Sequence, residues 1–115
     1  MYSNANARQQ PVYIVSCCHG TDSPDHRASK IRAVQGYLAR NGYPNRQLVG
    51  CYNGELETSW ALVGPEASLV ARAIQAKYEQ ESILVLDPAD GPKCVRLAYS
   101  VRADGQVSSI GQWCS

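Results

Sequence analysis

Apolar positions recur along this chain with two different periods, which predict strands and helices in a definite order. The β-branched and aromatic run "PVYIVSC" (residues 11–17) predicts a first strand. The near-continuous apolar run "SILVLD" (82–87) predicts a buried strand. The segments "KCVRLAYSV" (93–101) and "VSSIGQWC" (107–114) flank the turn "RADGQ" and predict a C-terminal hairpin.

Two helices and a second hairpin are predicted between these strands. Ser23 is a candidate N-cap with Pro24 at the first helical position, and Asn41-Gly42 marks the end of that helix. In "RQLVGCYNGELETSWALVG", Asn53-Gly54 is the preferred dipeptide of a type I′ hairpin turn. Gly64-Pro65-Glu66 opens the second helix. Its apolar stripe consists of Leu69, Val70, Ala73, Ile74 and Tyr78.

The order of elements predicts an α+β fold. The arrangement β-α-β-β-α-β is that of a ferredoxin-like sandwich, here with an added C-terminal β-hairpin that extends the sheet or folds over its open face. The Asn-Gly hairpin argues against a three-layer α/β fold, because it makes neighbouring strands antiparallel. Residues 1–10 are predicted to be a disordered polar tail, and residues 11–115 a single domain.

Composition and charge narrow the function classes. The chain is 44% hydrophobic and 18% charged with a formal net charge of +1, so nothing requires an acidic partner. No run of 18 apolar residues and no signal peptide occur, so we expect a cytoplasmic protein without a membrane span. Five irregularly spaced cysteines indicate free thiols in a reducing compartment.

The stretch "SCCHG" is the main candidate for chemistry. Cys17, Cys18 and His19 follow the first strand, and the topology places Glu57 near the same edge. Such a set could bind zinc or support a thiolate nucleophile. Adjacent cysteines on a strand point to opposite faces, however, which argues against zinc. We predict no metal, no cofactor and no catalytic residue, with a thiol- or metal-dependent enzyme as the alternative.

Nucleic-acid binding is a further alternative. The first helix carries the basic residues Arg27, Lys30, Arg32 and Arg40. They are spread along a solvated face rather than clustered, and the predicted sheet lacks the paired aromatic residues that stack on bases.

Aromatic residues favour a contact surface instead, because Tyr and Trp are enriched in protein interfaces. The predicted binding residues are Tyr37, Tyr43, Tyr52, Asn53, Trp60, Tyr99 and Trp113. A homodimer through an edge strand or the C-terminal hairpin is a second prediction.

Residues 50–87 resemble a known pattern. "YNGELETSWALVG" and "ARAIQAKYEQESILVLD" combine Glu57 and Ser59 on one strand, an Ala-rich helix and an apolar strand ending in Asp87. This pattern resembles small tailed-phage proteins related to the bacterial family DUF3293. The resemblance implies a small accessory protein that binds a host protein and has no established catalytic residues. We therefore predict a non-enzymatic binding protein, encoded by a phage, that modulates a host defence or takeover factor.

Overall fold

A computed structural model describes residues 10–52, 55–88 and 95–114. The six strands are Val12–Ser16 (β1), Asn45–Tyr52 (β2), Glu55–Leu62 (β3), Ser82–Leu86 (β4), Val95–Arg102 (β5) and Val107–Cys114 (β6). The two helices are Pro24–Arg40 (α1) and Ala67–Lys77 (α2). The predicted turn at Asn53-Gly54 and the tail up to residue 9 lie outside the described residues.

All six strands form one antiparallel sheet, in the order β2-β3-β1-β4-β5-β6. The α+β prediction is confirmed. The C-terminal hairpin extends the sheet beyond β4. Because of this extension, the strand order differs from that of a four-stranded ferredoxin-like sheet.

Helix α1 begins where its local sequence predicts. The Ser23 hydroxyl accepts a hydrogen bond from the His26 backbone N–H at 3.1 Å, and Pro24 occupies the first turn. The helix ends at Asn41, and Gly42 follows with a φ of 65°, a left-handed conformation that glycine adopts without steric cost.

Both helices pack on one face of the sheet. Val15 of β1 and Trp60 of β3 are directly opposite each other in the register, so their side chains share that face. The buried cluster joins the two helices to three strands and contains Val15, Cys17, Val34, Leu38, Trp60, Leu62, Ala67, Val70, Ala71, Ile74 and Ile83. The other face of the sheet carries no helix in the described part of the chain.

No helix in the described ranges is long and apolar enough to cross a membrane.

Candidate functional site

The end of β1 and the start of α1 form a tightly bonded corner around "SCCHG". Cys17 is fully buried, and its Sγ lies 3.8 Å from Sγ of half-buried Cys18. The Cys18 thiol faces the Arg27 backbone carbonyl at 3.9 Å. The Cys18 carbonyl accepts a hydrogen bond from the Gln80 side chain at 3.3 Å.

His19 ties this corner to the end of α2. Its Nε2 donates to the Tyr78 carbonyl at 2.8 Å, which places the ring proton on Nε2. Glu79 follows with a left-handed φ of 52°, and the Gln80 N–H bonds the Gln75 carbonyl at 2.9 Å, the pattern of a Schellman motif. His19 therefore holds a helix end in place.

Asp22 anchors the other side of the corner. Its Oδ2 accepts from the His19 backbone N–H and from Lys30 Nζ, each at 2.8 Å. These two donors, the backbone N–H first, lower the pKa of Asp22 to about 2. The Arg27 guanidinium donates to the His19 carbonyl at 2.9 Å. Arg27 and Lys30, two of the four Lys and Arg residues of α1, thus form hydrogen bonds within this corner.

The electrostatics of Cys17 do not favour a nucleophile. Burial, followed by the neighbouring Cys18, raises the pKa of the Cys17 thiol to about 12. A reactive thiol requires a lowered pKa instead. Within the described part of the chain, no three His, Cys, Asp or Glu side chains are grouped so as to hold a metal ion. The corner therefore acts as a structural anchor that fixes α1 and the α2–β4 connection to the end of β1.

The second candidate region is the sheet face opposite the helices, here called the open face. The register places Ile14 opposite both Ala61 and Leu84 on this face, and Ser16 opposite Ser59. At one end of the face, Leu86 and Ala98 are buried. At the other end, the half-exposed side chains are polar.

Glu57 lies at this polar end. It is directly opposite Gly50 of β2, an exposed residue of an edge strand, and a Cβ added to Gly50 would meet no atom within 4 Å, so the position beside Glu57 is open. Two positions further along β3, the Ser59 and Ser16 hydroxyls are 2.9 Å apart. Glu57 is half-buried and has no hydrogen bond or ion pair within the described residues. A carboxylate, two hydroxyls and an adjoining apolar floor can hold a polar cation.

The predicted aromatic residues lie on several different elements. Trp60 is fully buried beneath the helices, so it is not available as a contact residue. Tyr37 and Tyr43 form an edge-to-face pair with ring centroids 5.9 Å apart at the end of α1. Tyr99 is on β5, and its pKa is raised first by Asp87 and then by burial. Tyr52 and Trp113 lie in β2 and β6, whereas Asn53 lies outside the described residues.

Comparison with known families identifies an enzyme class. The sequence pattern of the S-Adenosylmethionine lyase family matches residues 13–114, which is nearly the whole chain. The chain belongs to this family. No curated protein matches it significantly.

This result corrects the function predicted from sequence. The prediction of a non-enzymatic host modulator is wrong, because the family that matches is one of lyases. The phage origin stays a prediction. The match also covers both ends of the domain, whereas the DUF3293-like resemblance covered residues 50–87. Of the sequence-predicted site residues, the open face contains Glu57, and the corner contains Cys17, Cys18 and His19. Ser16 was missed, because only the register between β1 and β3 places it beside Ser59.

Proposed function

We propose that the chain is an S-adenosylmethionine lyase that binds its substrate on the open face, beside Glu57. The observation that carries this proposal is a half-buried carboxylate without a partner in the described part of the chain. The family name specifies a sulfonium substrate, which is a permanent cation. A carboxylate in a partly desolvated position attracts such a cation more strongly than it would in bulk water.

The chemistry of a sulfonium explains what the site must do. When one C–S bond breaks, both bonding electrons pass to sulfur, which leaves as a neutral thioether. A lyase does not use water as the nucleophile. The carbon that loses sulfur is therefore attacked by the substrate's own carboxylate, or its neighbouring carbon releases a proton. The Ser16 and Ser59 hydroxyls can donate to a substrate carboxylate or bond ribose hydroxyls.

The position of charge defines the expected role of Glu57. Positive charge on sulfur decreases as the C–S bond breaks, so a carboxylate at the sulfonium stabilises the bound substrate at least as strongly as the transition state. Such an interaction lowers KM without raising kcat. We therefore assign Glu57 to substrate binding.

The test is a cleavage assay with the purified chain and S-adenosylmethionine, in which the thioether product is followed by liquid chromatography and mass spectrometry. Two unit charges 4 Å apart interact by about 4 kcal/mol at an effective dielectric of 20, and partial exposure reduces this to roughly 1.5–2 kcal/mol. Glu57→Gln should therefore raise KM by about 10- to 30-fold.

Glu81→Gln is the matched control, because Glu81 is an exposed glutamate just before β4. This substitution should leave KM and kcat unchanged. A fall in kcat at constant KM in Glu57→Gln would instead assign Glu57 to proton removal. Absence of any thioether product from the wild-type chain would refute the lyase proposal.

We also propose that β1 to β4 and the two helices form a ferredoxin-like unit. Support comes from the partial order β2-β3-β1-β4, in which each neighbouring pair is antiparallel, and from the placement of both helices on one face. The edge-strand homodimer stays a prediction.

A further inference from the structure

We propose that the groove between α1 and α2 is a binding site for a small aromatic anion, separate from the open face. The groove encloses about 280 Å³. Its lining residues are Ala33, Val34, Tyr37, Arg40, Ala73, Ile74, Lys77 and Tyr78. The volume is at the lower end of the range of ligand pockets, roughly 300–1,000 Å³, which fits one or two fused rings.

The shape of the groove favours a flat apolar group. Val34 and Ile74 are buried and form its floor. Ala33 and Ala73 have short side chains and leave space between the helices, while Tyr37 and Tyr78 contribute aromatic rings. Flat rings pack well against such surfaces, because aromatic pairs adopt offset or edge-to-face arrangements.

The charges lining the groove favour an anion. Arg40 and Lys77 are its charged residues, and no carboxylate contributes to the lining. Lys77 Nζ lies 5.7 Å from the centroid of the Tyr78 ring. The Arg40 guanidinium makes no hydrogen bond or ion pair in the described ranges. Glu66 lines an adjoining hollow with Tyr43, Leu69 and Val70, not the groove itself.

Gly36 sets the course of the Arg40 side chain along α1. A glycine in a helix interior is about 1 kcal/mol less favourable than alanine, and Gly36 lies within α1 without a left-handed conformation to explain it. A Cβ at this position would stand 2.9 Å from Arg40 Nη1. The missing side chain therefore lets the Arg40 guanidinium lie back along α1 against Gly36.

Together these features define the ligand class as a one- or two-ring carboxylate or sulfonate. The ring would occupy the slot between Tyr37 and Tyr78, and the anionic group would reach Arg40 and Lys77. The substrate of the proposed lyase is a poor fit, since its sulfonium and ammonium groups would face two cations. The groove inference therefore does not depend on the proposed function.

The experiment is a titration of the ¹⁵N-labelled full chain with 2-naphthoate, followed by amide chemical shifts. We expect saturable shifts at Ala33, Tyr37, Ala73 and Lys77. The neutral analogue 2-naphthamide should bind several-fold more weakly. Arg40→Gln and Lys77→Gln should each weaken binding by about threefold, the value of a partly exposed ion pair.

Arg32→Gln is the matched control, because Arg32 is exposed on the same helix but does not line the groove. The Arg32→Gln variant should bind 2-naphthoate with the affinity of the wild type. Ala73→Leu should fill the slot and abolish binding while S-adenosylmethionine cleavage continues. The proposal is overturned by equal affinity for the neutral amide, by unchanged binding in the Arg40→Gln/Lys77→Gln double variant, or by shifts confined to other residues. Concentration-dependent shifts at the same amides without ligand would assign the groove to a second copy of the chain and equally overturn it.

Discussion

The buried thiol of Cys17 provides a quantitative test of the corner at the end of β1. Its pKa rises from 9.0 to about 12, so at pH 8 the thiolate fraction falls from roughly 10⁻¹ to roughly 10⁻⁴. Because only the thiolate attacks a disulfide reagent, ionisation alone should slow the labelling of folded Cys17 by about 1,000-fold. Burial of the sulfur adds to this protection, so labelling should proceed mainly through unfolding.

The assay uses a disulfide reagent at pH 8, with the modified cysteine located by mass spectrometry. Cys18→Ser leaves Cys17 as the single thiol of the corner, and Cys17→Ala leaves half-buried Cys18 for comparison. We expect Cys18 to react faster than Cys17 in the folded chain, and a denaturant to remove the difference. Labelling of folded Cys17 within about tenfold of a free thiol would contradict both its burial and its raised pKa.

The raised pKa of Cys17 also makes the free energy of unfolding depend on pH in the alkaline range. The unfolded thiol ionises around pH 9, whereas the folded thiol keeps its proton until about pH 12. The stabilisation is therefore fully present below pH 9 and is lost as pH rises from 9 to 12, by up to about 4 kcal/mol at ~1.4 kcal/mol per pKa unit. The pKa values of Tyr43, Tyr78 and Tyr99 are also raised, so these residues likewise make the fold less stable as the pH rises. The contribution of Cys17 is therefore obtained by comparing the wild type with Cys17→Ala. Urea unfolding measures how steeply the free energy of unfolding falls above pH 9 in each. Equal slopes would refute the contribution.

Four further substitutions test the fold and the site. Gly50→Val should lower kcat/KM in the cleavage assay by about tenfold without lowering Tm, because it fills the open position beside Glu57 while favouring a strand. Unchanged kinetics would place the substrate elsewhere. Leu38→Ala should lower the free energy of unfolding by about 2–5 kcal/mol, and Leu69→Ala, at an exposed position, by less than about 0.5 kcal/mol, both by urea unfolding. Asp22→Asn should lower Tm above pH 4; the stabilisation by Asp22 is lost as pH falls from 3.8 toward 2, so the two melting curves should converge in acid, and parallel curves would contradict this.

Local signals in the sequence were sufficient to predict the individual helices and strands. The start of α1 follows from Ser23 and Pro24, whose capping and φ restriction act within one turn. The two-residue alternation in β3 likewise separates Glu57 and Ser59 from Trp60. Alternation does not specify which of the two faces the helices cover, however. Trp60 was consequently predicted as a contact residue although it lies in the core.

The enzyme class was harder to reach from sequence for a physical reason. The corner residues Cys17, Cys18 and His19 are reactive types close together in sequence. Yet Cys17 is buried against Cys18, and the side chains of Cys18 and His19 contact backbone carbonyls. No neighbour in sequence marks Glu57, because its distinguishing property is the absence of a hydrogen bond or ion pair with any described residue. That absence becomes visible only when the strands are paired and the described side chains are placed.

The two proposed binding sites differ in the charge of their side chains, and this difference separates their ligands. S-adenosylmethionine carries a sulfonium, an ammonium and a carboxylate, so its net charge is positive, and the open face offers it Glu57. The helix groove offers Arg40 and Lys77, which would repel that net charge. Added salt should therefore weaken both interactions, since each depends on opposite charges near the surface. Charge-removing substitutions should act separately: Glu57→Gln on substrate affinity, and Lys77→Gln on naphthoate affinity. If either variant altered both affinities, the two sites would be coupled or shared, and the assignment of one ligand to each site would fail.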